Sequence, residues 1–473
     1  MAHSVTKKTD MTEGPLFGKI IRYSIPLIAT GVLQLLYNAT DTIIAGRYAP
    51  DGQAALGAVG SCGALINLIV NLFMGLSVGA GVCVAHDYGA RKFDDVRRTV
   101  HTAIPVAAVL GVIVSIFGFF MSKTLLEWTG VQGNVLYEAV PYMKAYMLGM
   151  PASMVYNYCA TMLRSKGDTK HPLIFLSISG IVNVLLNLLM VLGFGMGAIG
   201  VGIATAASTW LSMIMILIFM IRSKGSMKFE WKLMSFHKDK FIAMLRFGIP
   251  AGLQGCVFSL SNVLIQSSIN LLDAGQGFIV AGNAAAANID GFLYIAMNAI
   301  YHAALTFVGQ NVGAKKYDRI GKIIGVCAVT VGAIGITMSI LAVALGQPLL
   351  SLYAPGNDRA ISMGMVRMSI VSATYFLCGF MELGCGVMRG LGNSLVPMIV
   401  SVVGSCAFRI LWIYTVFNAL PSLRTLYISY PISWILTAAA HFICSAIYLR
   451  IIKKKEARLS ESSDELQQVE VVK

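Results

Sequence analysis

Twelve long apolar runs, separated by short polar segments, limit what this 473-residue chain can fold into. Most of them exceed the about 20 residues that an α-helix needs to cross the hydrocarbon core of a bilayer. The runs lie at residues 17–41, 53–82, 99–122, 134–160, 172–193, 197–221, 241–267, 280–306, 323–345, 360–387, 395–418 and 425–449. Because a backbone in lipid must satisfy its own hydrogen bonds, we predict an all-α polytopic membrane protein with twelve transmembrane helices. The alternative, a β-barrel, needs alternating apolar and polar segments of about 10 residues, and the sequence shows none.

The composition agrees with a membrane-embedded chain, because 56% of the residues are hydrophobic and only 12% are charged. The polar first residues lack a short apolar core with a cleavage site, so we expect no cleaved signal peptide. The nine cysteines fall in or at the ends of apolar runs without metal-ligand spacing, and we interpret them as small core residues. We expect no metal other than a possible Na⁺.

Lysine and arginine are distributed unevenly over the connecting segments. If both termini are cytoplasmic, most of the 36 lysines and arginines fall on the cytoplasmic side, which is the positive-inside pattern. The net charge of +14 then reflects topology and anionic lipid headgroups, so we expect no nucleic-acid partner. We predict a multi-pass plasma-membrane protein, in a bacterial inner membrane, with both termini in the cytoplasm.

Three short segments of the first half recur in the second half, 224 or 225 residues further on. The pairs are RYSIP at Arg22 and RFGIP at Arg246, YGARKFD at Tyr88 and VGAKKYD at Val312, and MLRSKGDTKHP at Met162 and VMRGLGNSLVP at Val387. Each half holds six runs, so we predict two lobes related by a pseudo-two-fold axis along the membrane normal, with the substrate path between them. The predicted parts are a cytoplasmic tail at 1–16, an N-lobe at 17–221, a cytoplasmic linker at 222–240, a C-lobe at 241–450 and a cytoplasmic tail at 451–473.

This architecture is typical of an alternating-access transporter. An intramembrane enzyme would need a nucleophile with its base, or a metal cluster, inside the spans. The sequence contains no HExxH, GxSxG or GxxxxGK[ST] motif. We therefore predict a transporter that is not an enzyme, and keep an intramembrane enzyme as a less favoured alternative.

The segments YNATDTIIAGRYA (37–49), TFVGQNVGAKKYDRI (306–320) and VMRGLGNSLVP (387–397) resemble the multidrug and toxic compound extrusion (MATE) family, most closely its prokaryotic DinF-like branch. The resemblance implies a secondary antiporter that exports organic, often cationic or amphipathic compounds in exchange for H⁺ or Na⁺. It implies a small-molecule substrate, and we expect a monomer without a cofactor. The alternative in the same superfamily is a lipid-linked precursor flippase. That branch usually has more spans and a more basic cavity, whereas we count twelve runs and expect few cavity cations.

Ionisable groups inside a membrane are costly, so each one is a functional candidate. The family pattern places Asp41 in an ion or proton site of the N-lobe. The alternative is an acid at the outer interface that pairs with Arg47. The resemblance adds Asn183, Asn187 and Thr205 to this site, and the alternative for these three is hydrogen bonding between helices. The family often has an acid where Asn187 stands, and this loss of charge favours H⁺ over Na⁺.

The C-lobe contains further candidates. From their depth along the spans we predict that Asp290 pairs with Arg409 on the cleft wall, either as a structural pair or as part of the site. Glu382 matches an acid in other branches of the family, and we predict that it faces the inner cavity, available to a proton or a substrate amine. His302 could titrate near neutral pH, or it could simply pack between helices.

A last group of polar side chains is predicted to line the cleft. It comprises Gln34, Tyr37 and Asn38 of the first run and Gln254 and Asn262 of the seventh. Pro26 is a hinge candidate in the first run, and a simple kink is the alternative.

Overall fold

The computed structural model describes residues 10–471, with side chains described up to residue 458. Within these residues the chain is helical and contains no β-strand, which confirms the predicted all-α class. The helices are α1 (Leu16–Tyr48), α2 (Gly52–Gly89), α3 (Phe93–Trp128), α4 (Gly133–Met147), α5 (Met150–Lys166), α6 (Lys170–Leu188), α7 (Ala198–Arg222), α8 (Lys238–Asp273), α9 (Phe278–Gly313), α10 (Tyr317–Ala344), α11 (Gly346–Tyr353), α12 (Asp358–Ile370), α13 (Tyr375–Gly390), α14 (Leu395–Ser401), α15 (Phe408–Trp412) and α16 (Leu423–Val471). Short π-helical segments lie at Leu189–Gly193, Val402–Ala407 and Ile413–Phe417, and 3₁₀ segments at Trp231–Leu233 and Ser372–Thr374.

Two of the predicted spans are interrupted at matching places. Eleven helices of the described residues are long and apolar enough to cross a membrane, and the run predicted at 134–160 is not among them. It divides into α4 and α5. In α4, the carboxylate of Glu138 accepts a hydrogen bond from the backbone amide of Ala198 at the start of α7. In α5, the carbonyl of Ser165 accepts one from Nε2 of Gln310 near the end of α9. In the other half, the 3₁₀ segment Ser372–Thr374 separates α12 from α13. The break in one repeat therefore recurs in the other.

Helix α1 packs on both lobes. Ile20, Tyr23 and Leu27 in its first half belong to an apolar core that is otherwise built mainly from α9, α10 and α13 of the second lobe. Its second half contacts α6 of the first lobe. Pro26 lies in the first half, next to Leu27, and α1 continues through it without a break.

The two repeats meet at what we call the basic end, the end of the bundle that carries Arg91, Lys92, Lys315 and Lys316. Further into the bundle, 14 residues before the end of α2 at Gly89, α2 and α8 from different lobes cross with almost no space between their backbones. A Cβ on Gly75 would lie 2.0 Å from the amide nitrogen of Gly252, a distance that no side chain can accept.

The contact at the basic end is also symmetric. A Cβ on Gly89 would lie 2.0 Å from the carbonyl oxygen of Gln310, and a Cβ on Gly313 would lie 2.0 Å from that of His86. Gly89 and Gly313 are repeat partners, as are His86 and Gln310, so the two copies of the repeated segment pack on each other about the pseudo-two-fold axis. We call this closed contact of α2 with α8 and α9 the seam.

Candidate functional site

The first polar cluster lies between α1, α6 and α7. Nδ2 of Asn187 donates a hydrogen bond to Oδ1 of Asp41 at 2.5 Å, and Oγ1 of Thr205 donates to Oδ2 of Asp41 at 3.2 Å. Nδ2 of Asn187 is also 3.1 Å from Oδ1 of Asn183, whose Nδ2 is 3.4 Å from Oγ1 of Thr205. Asn183 and Asn187 reach one point because they are one turn apart on α6. The structure thus brings together the four residues predicted for an ion site in the N-lobe.

Asp41 has only neutral neighbours within hydrogen-bonding distance. It is 8% exposed and forms no ion pair in the described part of the chain. Arg47 is exposed and lies over the ring of Tyr48, so the alternative that it pairs with Asp41 is wrong. Oδ1 of Asn187 is buried without a partner. A charged carboxylate is costly here, and either protonation or a bound cation would offset that cost.

The polar residues of α1 before Asp41 do not line the cleft as a group. Tyr37 packs between α1 and α6, where its hydroxyl donates to the carbonyl of Leu176 at 3.1 Å. Gly180 makes room for this ring, because a Cβ there would overlap it. Gln34 and Asn38 are exposed, and neither they nor Tyr37 lines the cavity described next.

A cavity of about 680 Å³ lies between the lobes, a volume that suits a small organic molecule. Side chains from α2 and α5 form the N-lobe wall, and side chains from α8, α9, α12, α13, α15 and α16 form the C-lobe wall. Six residues singled out from the sequence line it, namely Gln254, Asn262, Asp290, His302, Glu382 and Arg409.

The predicted ion pair between Asp290 and Arg409 is wrong. The partner of Asp290 is Arg367 of α12, whose Nε and Nη2 lie 3.0 and 2.9 Å from Oδ2 of Asp290. Depth along a span places a residue at a height but does not say which way it points. Arg367 shares the height and faces α9, whereas Arg409 faces α16.

Arg409 lies in the five-residue helix α15, which has a π-helical segment on each side. Its Nε donates to Oγ of Ser433 at 3.0 Å, and its guanidinium lies 4.1 Å from the centre of the Tyr430 ring. Its Nη2 is buried without a hydrogen-bond partner. Interruptions of this kind in a helix are frequent at functional sites.

Glu382 is half-buried in α13 and forms neither an ion pair nor a hydrogen bond in the described part of the chain. About two turns further along α13, Nη1 of Arg389 donates to the hydroxyl of Tyr301 at 2.5 Å, and its Nη2 donates to Oε1 of Gln254 at 2.9 Å. Gln254 thus holds Arg389. His302 is half-buried beside Tyr301, with 4.9 Å between the ring centres.

The expectation of few cavity cations is wrong. Arg164, Arg367, Arg389 and Arg409 line the cavity, against the carboxylates of Asp290 and Glu382. Three of these arginines, Arg164, Arg367 and Arg389, were not among the predicted site residues, and only for Arg164 and Arg389 does the positive-inside pattern offer another explanation. A signal was present for two of them, since Arg164 and Arg389 occupy the same place in the third repeated segment.

The sequence profile of the family described as MatE matches residues 26–189 and 250–415, which together are more than half of the chain. The chain belongs to the MatE family. The profile matches each half of this MatE protein separately, and each matched range begins at or beside the proline of the first repeated segment.

Relatives and solved structures agree with this membership. The probable multidrug resistance protein YoeA of Bacillus subtilis is 24% identical over 387 residues, which are 80% of this chain and 82% of that protein. The probable multidrug resistance protein NorM of Thermotoga maritima is 24% identical over 395 residues, or 83% and 84% of the two chains. A structure titled as the outward-facing conformation of a multidrug resistance MATE family transporter of the MOP superfamily superposes with a TM-score of 0.87 at 19% identity, covering 96% of this chain and 100% of that one. The likeness confirms the two-lobed fold of a multi-pass membrane transporter.

Proposed function

We propose that this MatE protein is an exporter of small organic, often amphipathic compounds, which exchanges them for H⁺ across a bacterial plasma membrane. The names of its relatives support the export of foreign compounds. The observation that carries the coupling is the Asp41 cluster, a buried carboxylate that is held by neutral donors alone. Such a group can take up and release one charge without rearranging an ion pair.

H⁺ is preferred over Na⁺ because of the charge of the cluster. Asp41 is its one carboxylate, and Asn187 donates to Asp41 through Nδ2. A cation that gives up its water ligands is favoured by several oxygens and by formal negative charge around it. A proton needs only the carboxylate. The Na⁺-coupled exporter is the second form of the proposal.

Alternating access is the motion that fits a closed seam and a cavity between two lobes. We propose that the basic end is cytoplasmic and that the seam separates the cavity from the cytoplasm in this state. Export would then require the seam to open while the other end closes. The flippase is disfavoured because the relatives of this chain are named as multidrug resistance proteins, although its cavity is more basic than we expected.

The test uses purified protein in proteoliposomes under an imposed pH gradient or an imposed Na⁺ gradient. Cationic ethidium and zwitterionic rhodamine 110 are both offered, so that the charge preference of the cavity does not decide the result. We expect flux that is driven by the pH gradient alone, lost in Asp41→Asn and kept in the control Asp358→Asn, which changes an exposed acid. Flux that only Na⁺ drives would overturn the preference for H⁺. No flux of either dye under either gradient would overturn the antiport.

A further inference from the structure

The charges that line the cavity do not balance. Asp290 and Arg367 neutralise each other as an ion pair. Glu382 is then the one remaining carboxylate among the described residues that line the cavity, and three more arginines, Arg164, Arg389 and Arg409, line the same cavity. None of these three arginines has a carboxylate partner in the described part of the chain. With all of these groups ionised, the cavity is positive.

Of the two arginines that are buried, Arg389 and Arg409, Arg409 is the less compensated. It is 3% exposed, and Arg389, also buried, has two side-chain acceptors while Arg409 has one, Ser433. The rings of Tyr430 and Trp434 lie 4.1 and 5.8 Å from its guanidinium and offset part of the cost of burying the charge. A buried cation with an unused donor is costly in a membrane unless something brings it an anion.

We propose that Arg409 binds an anionic group, a carboxylate or a phosphate, of the exported compound. This inference rests on the proposed function and names its substrate class, which is anionic or zwitterionic organic compounds. The planar guanidinium is suited to such groups because it offers paired donors. Tyr430 and Trp434 beside it provide an apolar surface for the rest of the molecule, and the half-buried Glu382 in the same cavity is available to an amine.

A pair of dyes that differ in one charge tests this directly. Rhodamine 110 has a free carboxylate, and rhodamine 123 is its methyl ester. Binding of each dye to the purified protein in detergent is measured by fluorescence polarisation. We expect the wild type to bind the carboxylate about tenfold more tightly than the ester, as one hydrogen-bonded charge would give. Equal binding, tighter binding of the ester, or no binding of the carboxylate dye would each overturn the proposal.

Arg409→Gln assigns the preference to this residue. We expect the variant to bind the two dyes equally, and we expect Arg424→Gln, which changes an exposed arginine on α16, to keep the wild-type ratio. Arg409→Lys keeps the charge and should keep part of the preference. A full preference in Arg409→Gln would overturn the assignment. The wild-type comparison needs no variant, so the proposal is tested even if Arg409→Gln fails to fold.

Two further results separate the possible causes. A rise in thermal stability with chloride or inorganic phosphate that Arg409→Gln loses, without a preference for the carboxylate dye, would place an inorganic anion at Arg409 and overturn the substrate class. Binding in detergent does not depend on a gradient. A dye preference without flux in proteoliposomes would therefore support the role of Arg409 in the cavity and overturn the antiport. Flux without a dye preference would support the antiport and overturn the role of Arg409.

Discussion

Asp290 and Arg367 form a fully satisfied pair in the wall of the cavity. Both Nε and Nη2 of Arg367 donate to Oδ2 of Asp290, and the hydroxyl of Ser372 donates to its Oδ1 at 2.5 Å. The remaining nitrogen of Arg367 donates to Oδ1 of Asn283 at 2.9 Å, and the hydroxyl of Tyr427 donates to the same oxygen at 3.1 Å. The network joins α9, α12 and α16 at the place where the chain breaks between α12 and α13.

The pair predicts a large loss of stability when one partner is removed. Asp290→Asn leaves the Arg367 charge buried without an anion, and we expect a loss of about 3 kcal/mol. The measurement is thermal unfolding in detergent, with Asp358→Asn as the exposed control. Changing both residues, Asp290→Leu with Arg367→Met, should restore part of the stability. An Asp290→Asn protein as stable as the control would contradict a structural role for the pair.

The Asp41 cluster predicts that its ion preference depends on one charge. Asn187→Asp places a second carboxylate against Asp41, so we expect thermal stability to rise with Na⁺ in this variant and not in the wild type. The double variant Asp41→Asn with Asn187→Asp again has a single carboxylate in the cluster, so its thermal stability should no longer rise with Na⁺. If Na⁺ leaves the unfolding temperature of Asn187→Asp unchanged, charge is not what limits Na⁺ binding in this cluster.

From the close approach of α2 and α8 in the seam, we predict that one added methyl group separates these helices. Gly75→Ala puts a Cβ against the backbone of Gly252, which cannot move away without separating α2 from α8. We expect several-fold faster maleimide labelling of a cysteine introduced by Ser165→Cys, a residue that is 2% exposed at the basic end. Gly60→Ala on the same helix is the matched control, because a Cβ there has no neighbour within 4 Å. Equal labelling in the two variants would show that the close approach does not hold the seam closed.

A half-buried lysine joins α8 to α2 and α3 at the same end. Nζ of Lys240 lies 2.8 Å from Oδ2 of Asp87 and 3.2 Å from Oδ1 of Asp95. We expect Lys240→Gln to lower the stability by about 1–2 kcal/mol and to speed labelling of the same cysteine, since it leaves two acids together. Lys238→Gln, at an exposed lysine without an ion pair in the described part of the chain, should do neither. A high-salt buffer should reduce the difference between the two variants.

The sequence was informative wherever a local spacing determined the contact. Asn183 and Asn187 had to share a face because four residues are about one helical turn, and the family pattern connected them with Asp41 and Thr205. The partner of Asp290 could not be derived in this way. A count of residues along a span gives depth, but which face a side chain presents also depends on the local breaks at Ser372–Thr374 and in the two π segments beside Arg409.

The arginines of the cavity illustrate a second limit. Arg164 and Arg389 stand near the basic ends of α5 and α13, where the positive-inside pattern accounts for any arginine. That pattern describes how the chain is oriented and says nothing about whether a side chain turns outward to water or inward to the cavity. The recurrence of an arginine at the same position of both repeats was a better indication that these side chains line the cavity.

The mutual contact of the two repeated segments has a mechanical consequence. Gly89 rests on the carbonyl of Gln310 as Gly313 rests on that of His86, so each contact is the image of the other under the pseudo-two-fold rotation. A rigid tilt of the lobes that preserves this axis must lengthen both distances together and by the same amount. In such a motion neither contact can open before the other, so the two repeated segments separate in one step.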